Sequence, residues 1–536
     1  MEILLIVPRY NLTRKKDYNY NFPLGLGYIS AVIKKAGYNL DCLNLNHLDG
    51  TVEDLVKKSL SQKKYDVVFS GFLGLGHHSI KEIIRICRLH PSLPKIIIGG
   101  ALITSEPKLI FESLNPDFAI IGEGEITIQE LLKSLEMKTI ANDIRGIIYW
   151  NDKKEMIITP AREVINDLDS LPFPDFDLLE LPEYLSNQSS NEVPYTLFDY
   201  PRPYPIICSR GCPFQCTFCY HCLGIKYRVR SLDNIIQEIR YAIEKYHINL
   251  LFFYDDLFAV NTERLDDFCK RIKDVFKEYP GEYKWFCQLT VQNVSEEMLI
   301  RLKDAGCSAV SYGLESYSPI ILKSMKKPIT PQQIDNAVKL TKKCGLIING
   351  SFIFGDRAET KETARETLDY WKDHCNGQVQ LNFIQPYPGT EMYKHCLKKG
   401  IITNKTDFIE NQMYLINWFN MTDSMTDEEI LTLKKKILEL RIKHVKYISP
   451  LNVKKNTKGK YSIGVRCPYC ENTLIYQNCR IDNLVYYTLR IHCKNCSMAF
   501  FMVSPLYKSM IKYYHELEFF RTKYITIRDA VQRLIS

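Results

Sequence analysis

The sequence lacks the features that place a chain in a membrane or in the secretory pathway. No run reaches the roughly 18–20 apolar residues of a membrane-spanning helix. The chain opens with MEILLIVPRY, in which no basic residue precedes the short apolar run. That run predicts a first strand and not a signal peptide. We therefore expect a cytoplasmic protein without a membrane span.

Excess charge of either sign is also scarce. The chain has 70 Lys and Arg residues against 62 Asp and Glu residues, a formal net charge of +8 over 536 residues. So small an excess permits an anionic ligand but predicts no nucleic-acid partner. Hydrophobic residues make up 46% and charged residues 25%, close to the globular average, which excludes a largely disordered chain. At roughly 100–200 residues per domain, the length predicts about three to five domains.

Cysteine, by contrast, is abundant and unevenly spread. Of the 18 cysteines, nine lie in two groups: Cys208, Cys212, Cys216, Cys219 and Cys222, and then Cys467, Cys470, Cys493 and Cys496. Without a recognisable secretion signal, clustered cysteines indicate metal ligands more than disulfides. The other nine are scattered, and we expect them to be small buried hydrophobic residues.

The first third of the chain alternates five short apolar runs with helical patterns. This alternation predicts an α/β domain with a doubly wound parallel sheet. Such sheets bind ligands at the carboxyl ends of their strands. No GxGxxG follows the first strand, which argues against a dinucleotide. Glycines at three successive strand ends would let a large ligand approach the backbone, although ordinary turn glycines are the alternative. The predicted contacts are Ser70, Gly71, Gly99, Gly100, Gly122, Glu123 and Gly124.

The stretch that follows predicts a connection between domains. Residues 145–159 have the pattern of a hairpin across Asn151-Asp152, and residues 160–205 contain eight prolines, which leave little room for regular structure. The predicted organisation has five parts. They are a sheet domain (1–145), a hairpin and Pro-rich linker (146–204), a strand–helix domain (205–420), a closing helical segment (421–455) and a C-terminal module (456–536).

The strongest signal is the spacing Cys212-x3-Cys216-x2-Cys219, here called the cysteine triad. It follows the apolar run PIIC, so the three residues lie on a loop after a strand. Three thiolates this close suit an iron–sulfur cluster, and three ligands on a [4Fe–4S] cluster leave one iron open. The alternative is a structural zinc site. Gly211 before the first ligand and Phe218 before the third favour the cluster.

The triad resembles the CxxxCxΦC signature of the radical S-adenosylmethionine (SAM) superfamily. The chain to about residue 445 resembles the cobalamin-binding branch of that superfamily. Matching segments of the predicted sheet domain are LGLGYISAVIKKAG, IIIGGALIT and IIGEGE, and those of the strand–helix domain are YDDLFAVN, CSAVSYGLES, GSFIFGDRAET and QPYPGTEMY. The resemblance implies a cobalamin (B12)-binding domain over 1–145 and a radical SAM barrel over 205–420.

The residue pattern of the second domain agrees with that implication. Strand-like runs occur at 205–210, 250–255, 284–290, 307–313, 347–354 and 379–386, with helical segments between them. Six units, not eight, predict a partial (β/α)6 barrel. We expect functional groups at the carboxyl ends of its strands, as in complete barrels.

The resemblance also implies which residues contact the cofactors. The open iron would chelate SAM, and Glu315, in the GxES-like segment Gly313–Ser316, would accept from its amino group. Asp255 or Asp256 would contact SAM hydroxyls or substrate, or cap a helix. Gly355 would admit the adenosine, although the expected proline after it is missing. The predicted SAM-site residues are Phe218, Tyr220, Asp255, Gly313, Glu315, Ser316, Gly355 and Tyr387; no individual catalytic residue is predicted.

The predicted B12-binding domain departs from free-standing domains of its kind at one point. Those domains carry a DxHxxG loop whose histidine binds cobalt, whereas the loop after the first strand here, PRYNLTRKKDYNY, has no histidine. We expect cobalt without a protein imidazole, which favours the Co(I) state and methyl uptake from SAM. His77 and His78 lie after the third strand, so we expect them to be solvated or to start a helix.

The second cysteine group, here called the ribbon cysteines, forms two CxxC pairs separated by 22 residues. This is the arrangement of a zinc ribbon. Zinc that stabilises the fold is the predicted occupant, and mononuclear iron is the alternative. The final 30 residues have helical patterns with interleaved basic and aromatic residues, which fit a solvated face or a contact with a carrier or anionic substrate.

Together these features predict a radical SAM enzyme that uses a [4Fe–4S] cluster, SAM and cobalamin. The predicted reaction methylates an unactivated carbon of a metabolite, lipid or peptide through methylcobalamin and a 5′-deoxyadenosyl radical. Oxidative cyclisation or rearrangement without methyl transfer is the alternative. A cobalamin- or metal-responsive binding protein is the alternative of another class. The reaction also implies a flavodoxin- or ferredoxin-type electron donor.

Overall fold

The computed structural model describes residues 1–10, 14–71, 76–139, 141–190, 195–259, 261–413, 419–456 and 460–513. The chain forms two compact units. Unit 1 comprises Met1–Gln188, Tyr204–Pro280 and Gln385–Phe419, and unit 2 comprises Ser189–Pro203, Gly281–Ile384 and Asn420–Ser536. In the part of the chain that the structure describes, no helix combines the length and apolar character needed to cross a bilayer.

Unit 1 begins with a seven-stranded sheet. Its strands are β1 (Glu2–Val7), β2 (Asn39–Asn44), β3 (Val67–Gly71), β4 (Lys95–Gly99), β5 (Phe118–Ile120), β6 (Ile147–Trp150) and β7 (Met156–Ile158). Their order is β2-β1-β3-β4-β5-β6-β7. The first five are parallel, and β6 and β7 form the antiparallel hairpin predicted across Asn151-Asp152. The predicted five-stranded parallel sheet is confirmed.

Helices of the described residues connect these strands. They are Leu24–Lys35, Val52–Gln62, His77–Leu89, Ala101–Ser105, Pro107–Leu114 and Glu125–Met137. The strand β1 is almost fully buried from Ile3 to Val7, as expected for a parallel strand covered on both faces. The strand order reverses beside β1, which pairs with both β2 and β3. At such a switch point, ligands bind outside the carboxyl ends of the strands.

The rest of unit 1 carries the cysteine triad. The strand β8 (Pro203–Ile206) leads to a short antiparallel pair, β9 (Ser209–Arg210) and β10 (Arg228–Val229). The helix Leu232–Tyr246, β11 (Leu250–Phe253) and the helix Thr262–Glu278 follow. The side chains of Ser231 and Asn261 accept from backbone N–H groups at the starts of the two helices, which explains where each begins. Further helices of unit 1 are Leu181–Ser186, Glu391–Lys398 and Lys405–Asp407.

Unit 2 contains four parallel strands in chain order. They are β12 (Lys284–Leu289), β13 (Cys307–Glu315), β14 (Ile347–Phe354) and β15 (Gln380–Phe383). The intervening helices are Glu296–Asp304, Pro319–Ser324, Pro331–Lys343 and Lys361–Tyr370. With β8 and β11 of unit 1, six strands each precede a helix. The six strand–helix units predicted from the sequence are therefore confirmed.

The C-terminal part of unit 2 is a small β module. The helix Asp427–His444 precedes it and begins at a capping box between Thr426 and Glu429. A helix therefore lies within the predicted segment 421–455, whose last residues form strands. The strands are β16 (Tyr447–Ile448), β17 (Asn452–Lys455), β18 (Lys460–Arg466), β19 (Thr473–Arg480), β20 (Thr488–His492) and β21 (Ala499–Val503). They form two sheets, ordered β16-β21-β20 and β17-β18-β19. A helix spans Pro505–Met510, and the helices predicted beyond residue 513 lie outside the described residues.

Candidate functional site

The loop that carries the cysteine triad, residues 211–227, is here called the cluster loop. It leaves β9 and returns along β10, so the strand pair closes its base. Gly211 opens the loop with φ of +81°, and a Cβ at this position would collide with the carbonyl oxygen of Lys226. Positive φ and the close backbone together admit only glycine here. The glycine noted in the sequence therefore sets the path of the chain into the first ligand.

The three thiols of the triad differ in exposure. Cys216 is buried, Cys212 is half-buried and Cys219 is exposed, and the backbone N–H of Cys219 donates to the carbonyl oxygen of Cys216 at 3.1 Å. Three thiols on one short loop, with a gradient from the interior to the surface, fit a cluster that is anchored on one side and open on the other. The donor set therefore fits a [4Fe–4S] cluster.

The two neighbouring cysteines have a different environment. Burial raises the pKa of the Cys208 thiol well above its usual value, and it raises the pKa of Cys222 to about 11. The restriction of the predicted ligand set to the triad rests on the cysteine spacing and stays a prediction.

Asp255 holds the backbone that leads into the cluster loop. It follows β11 and is 3% exposed. Its carboxylate accepts from the backbone N–H of Cys208 at 3.0 and 3.2 Å and from the hydroxyl of Ser209 at 2.5 Å. Burial raises the pKa of Asp255 to about 7. Its predicted contact with SAM stays a prediction. In the structure, this carboxylate already accepts hydrogen bonds from the chain itself. Asp256, the next residue in the chain, is exposed.

The cluster loop also packs against the segment predicted to line the adenine pocket. Gly389 has φ of +93°, and a Cβ there would lie 2.6 Å from the ring of Tyr220. The backbone N–H of Met392 donates to the carbonyl oxygen of Thr217 at 3.1 Å. The structure thus places the Tyr387 segment beside the cluster loop. Tyr387 is half-exposed and Phe218 is half-buried.

Glycines lie at the ends of β3, β4 and β5, in the described part of the carboxyl edge of the seven-stranded sheet. Gly71 pairs with Gly99 across β3 and β4, and the Ser70 hydroxyl donates to the carbonyl oxygen of Ile6 at 2.6 Å. Gly100 has φ of +110°, and a Cβ on Gly122 would meet no heavy atom within 4 Å. A glycine-lined edge at the switch point suits a broad planar cofactor such as cobalamin.

Glu123, predicted as a cobalamin contact, is engaged elsewhere in unit 1. It is 8% exposed, and its carboxylate accepts from Arg210, from Arg228 and from the backbone N–H of Ile165. Glu125, which begins the next helix, accepts from Arg210 at 2.6 Å. The sequence does not reveal this buried network. The IIGEGE segment is recognisable in the sequence, but its partners lie far from it in the chain.

The side of the sheet beyond β1 and β2 holds histidine and tyrosine side chains. His47 is buried; its Nδ1 lies 2.7 Å from the Glu180 carboxylate and its Nε2 lies 2.8 Å from the Tyr20 hydroxyl. Both ring nitrogens are therefore engaged by the chain.

His77 and His78 begin the helix His77–Leu89 as predicted. His77 is 2% exposed, so of the two predicted roles, solvated or helix-start, the helix start applies to it. Burial lowers the pKa of His77 to about 4.

In unit 2, Glu315 already has a cationic partner. It ends β13 with φ of +58° and is 8% exposed. Its Oε1 accepts from the Lys327 ammonium at 2.9 Å. A Cβ on Gly313 would collide with both groups. An ammonium is also the partner predicted from SAM, so the site suits that charge. Ser316 is 2% exposed, and its hydroxyl lies 3.0 Å from that of Thr367.

Two buried acids beside Gly355 were not singled out from the sequence. Gly355 follows β14 with φ of +96°. Burial raises the pKa of Glu359 to about 7, and its carboxylate accepts from the Gly355 N–H at 3.3 Å and from Thr363 at 2.8 Å. The fully buried carboxylate of Asp356 accepts from Ser324 at 2.5 Å. These groups fix the turn at the carboxyl end of β14.

The ribbon cysteines are gathered at one point of unit 2. Their sulfur atoms all lie within 4.8 Å of one another, and the closest pairs, Cys470–Cys493 and Cys467–Cys496, lie 3.6 and 3.8 Å apart. The backbone N–H of Asn472 and the side-chain amide of Asn495 lower the pKa of Cys470. Four converging thiols with amide donors around them fit one tetrahedral ion. The fit agrees with a zinc-ribbon-like module.

Comparison with known proteins identifies both families predicted from the sequence. The family model for the B12 binding domain matches residues 12–132, and the model for the radical SAM superfamily matches residues 206–370. The chain is 30% identical over 410 residues to the uncharacterized methyltransferase PH0819 of Pyrococcus horikoshii, across 75% of this chain and 84% of that relative. It is 24% identical over 482 residues to the cytidylyl-2-hydroxyethylphosphonate methyltransferase of Streptomyces wedmorensis, across 81% and 89% of the two chains.

Two further comparisons bear on activity and fold. The chain is 23% identical over 402 residues to the anaerobic magnesium-protoporphyrin IX monomethyl ester cyclase of Rubrivivax gelatinosus, across 74% and 70% of the two chains. The fold is similar to that of TsrM, a radical SAM methyltransferase of Kitasatospora setae solved with cobalamin and a [4Fe–4S] cluster. The TM-score is 0.60 at 17% identity, and the match covers 74% of this chain and 76% of that one. The chain therefore belongs to the cobalamin-binding branch of the radical SAM superfamily of enzymes.

Proposed function

We propose that the protein transfers a methyl group from SAM to an unactivated carbon of a substrate. The observation that carries the proposal is that unit 1 holds the cysteine triad and the glycine-lined edge of the sheet in one compact body. The two relatives named as methyltransferases support it. The substrate is a small metabolite, a lipid or a peptide.

The bound groups supply the chemistry and the chain arranges them. When bound, the cluster supplies electrons for the reductive cleavage of SAM, and cobalamin carries the methyl group. The cysteine triad holds the cluster on its loop, and Gly211 fixes the course of that loop. Glu315 accepts from the ammonium group of Lys327, and the amino group of SAM is a cation of the same kind. The loop after β1 offers no imidazole to cobalt.

Further partners belong to the same proposal. The ribbon cysteines bind zinc, which stabilises the C-terminal module. A flavodoxin- or ferredoxin-type protein delivers the electrons, and the enzyme works in the cytoplasm. Of the remaining predicted SAM contacts, Phe218, Tyr220 and Tyr387 belong to unit 1, and Ser316 and Gly355 belong to unit 2.

A second candidate is oxidative cyclisation or rearrangement without methyl transfer. The resemblance to the Rubrivivax gelatinosus cyclase favours it. The third candidate, a cobalamin- or metal-responsive binding protein, is disfavoured because the intact cysteine triad and the relatives named as methyltransferases support an enzyme.

The reaction is tested with the full-length protein, reconstituted anaerobically with iron, sulfide and cobalamin. It is incubated with SAM carrying a deuterated methyl group, with dithionite and with a small-molecule extract of the source cells. Methyl transfer predicts a labelled product, with S-adenosylhomocysteine and 5′-deoxyadenosine in about equal amounts. Substrate turnover with 5′-deoxyadenosine but neither S-adenosylhomocysteine nor label would establish the second candidate instead. Failure to cleave SAM at all would leave only the third.

A further inference from the structure

The base of the cluster loop carries two arginines side by side. Arg210 and Arg228 are opposite each other in the register of β9 and β10. Like charges directly opposite on paired strands destabilise the pairing. Both residues are also buried, at 6% and 5% exposure, so water does little to screen them. The closed loop therefore requires an anionic partner at its base.

Glu123 supplies that partner. Its Oε1 accepts from Arg210 at 2.9 Å and from Arg228 at 3.0 Å, and its Oε2 accepts from Arg228 at 2.8 Å and from the backbone N–H of Ile165 at 2.7 Å. Glu125 accepts from the second guanidinium nitrogen of Arg210 at 2.6 Å. Two carboxylates thus face two guanidinium groups, and no net charge is buried.

Glu123 belongs to the loop between β5 and the helix Glu125–Met137, and Glu125 is the first residue of that helix. The same loop contributes Gly122 to the glycine-lined edge, and a Cβ on Gly122 would meet no heavy atom within 4 Å. Four consecutive residues, Gly122 to Glu125, therefore border the predicted cobalamin edge with backbone and hold the cluster loop with side chains. One short segment serves both cofactor sites.

We propose that Glu123 couples these two sites, so that occupancy of either site changes the affinity of the other. A ligand that shifts the Gly122 backbone displaces the carboxylate on the next residue, and the displacement reaches both arginines at the base of the cluster loop. Such coupling is reciprocal by linkage. Glu123 is a positioning residue, because it acts through Arg210 and Arg228. The inference rests on the cofactors of the proposed function but not on methyl transfer.

The test compares cobalamin affinity with and without the cluster. Full-length protein is purified anaerobically, prepared in cluster-free and reconstituted forms, and titrated with hydroxocobalamin. For the wild type, we expect about fivefold or greater difference in Kd between the two forms, within the usual range of coupled sites. Glu123→Gln keeps the size of the side chain but removes the charge that both arginines need. We expect its two Kd values to agree within about twofold.

A matched control separates coupling from general damage. Glu130 lies in the helix Glu125–Met137, where its exposed carboxylate pairs with Arg162. Glu130→Gln removes that charge and should retain the wild-type difference in cobalamin Kd between the two forms. The electron paramagnetic resonance spectrum of the reduced cluster gives a second readout. Adding cobalamin should change its line shape in the wild type and in Glu130→Gln, but not in Glu123→Gln. A stability defect alone does not predict that pattern.

A second variant covers the case in which Glu123→Gln does not fold. Arg210→Lys retains the positive charge but cannot contact Glu123 and Glu125 with two separate nitrogens, so it should also reduce the difference in Kd. Equal affinities of the two wild-type forms, or an undiminished difference in the variants, would overturn the inference. Preserved coupling in a protein that transfers no methyl group would overturn only the proposed reaction.

Discussion

In the C-terminal module, four thiols converge within 4.8 Å inside a core of their own. In the cluster loop, three thiols lie on one loop, and their exposure ranges from the buried Cys216 to the exposed Cys219. The first arrangement fills the coordination sphere of one ion, as structural sites do. The second leaves a position for a reactant, as catalytic sites do. Both depend on cysteine spacing, but they obtain their rigidity from different sources.

The ribbon cysteines are held by their nearest neighbours in the chain. Backbone N–H groups of Tyr469 and Asn495 donate to cysteine sulfur atoms at 3.5 and 3.4 Å, and the surrounding core comes from the same module, including Ile463 and Phe500. A site of this kind needs little from the rest of the protein. Its metal and its fold should be gained and lost together.

The cluster loop is held from outside. Asp255 anchors the strand before it, from 47 residues away. Glu123 neutralises its base, from 87 residues away. An open site cannot be stabilised by its own ligands alone, so distant residues must hold the loop in place. Substitutions far from the triad in the sequence should therefore lower the cluster content. Substitutions equally far from the ribbon cysteines should leave the metal of the C-terminal module in place.

The largest expected effect comes from the triad itself. Cys216→Ala should abolish SAM cleavage and the visible absorption of the cluster, because two thiolates cannot hold it. The iron content per chain and the 5′-deoxyadenosine yield measure both losses. Cys222→Ala and Cys208→Ala are the controls, and they should retain the iron of one cluster. SAM cleavage by a protein that lacks all three triad cysteines would disprove the radical mechanism.

The ribbon should respond in the opposite way. Cys493→Ser should lose about one zinc per chain and lower the melting temperature of the module, because metal binding and folding are linked. The cluster iron should remain, which separates the two sites. Metal analysis and a thermal melt measure the result. Cys344→Ser, outside both groups, should lose neither metal. Iron in place of zinc would favour the mononuclear alternative.

A pair of glycines tests whether backbone geometry sets the cluster loop. Gly211 and Gly224 have nearly the same φ, +81° and +80°. A Cβ on Gly211 would collide with the Lys226 carbonyl oxygen, whereas the nearest atom to a Cβ on Gly224 lies 3.6 Å away. Gly224→Ala should cost about 1–2 kcal/mol for the left-handed conformation alone. Gly211→Ala should cost more and lower the reconstituted iron. Equal iron contents of the two variants would show that the collision is relieved without moving the triad.

The sequence predicted the elements of the fold better than the contacts of the site. Strand–helix alternation and cysteine spacing are local patterns, and they identified the five parallel strands, the six strand–helix units and both cysteine groups. The partners of Glu123, Asp255 and Glu315 are distant or context-dependent, and periodicity carries no information about which polar side chains meet. The sequence predicts that Asp255 contacts SAM or substrate, or caps a helix, whereas the donors it meets are the Cys208 N–H and the Ser209 hydroxyl.

The last expected effect is the part of the pH dependence of stability that comes from Asp255. Burial raises the pKa of Asp255 to about 7, against about 3.9 in an unfolded chain. Between these values the folded chain holds a proton that the unfolded chain has released. The free energy of unfolding therefore falls as the pH rises through this window. In Asp255→Asn the group cannot titrate, so that part of the slope should vanish.

The difference between the two profiles should amount to about 1–4 kcal/mol between roughly pH 5 and pH 8, since each pKa unit corresponds to about 1.4 kcal/mol. Chemical denaturation at several pH values measures it. Asp274→Asn, an exposed residue that pairs with Lys277, should follow the wild-type slope. Parallel profiles for wild type and Asp255→Asn would mean that the carboxylate is ionised in the folded chain. Its hydrogen bonds to Cys208 and Ser209 would then outweigh its burial, and the anchor of the cluster loop would be insensitive to pH.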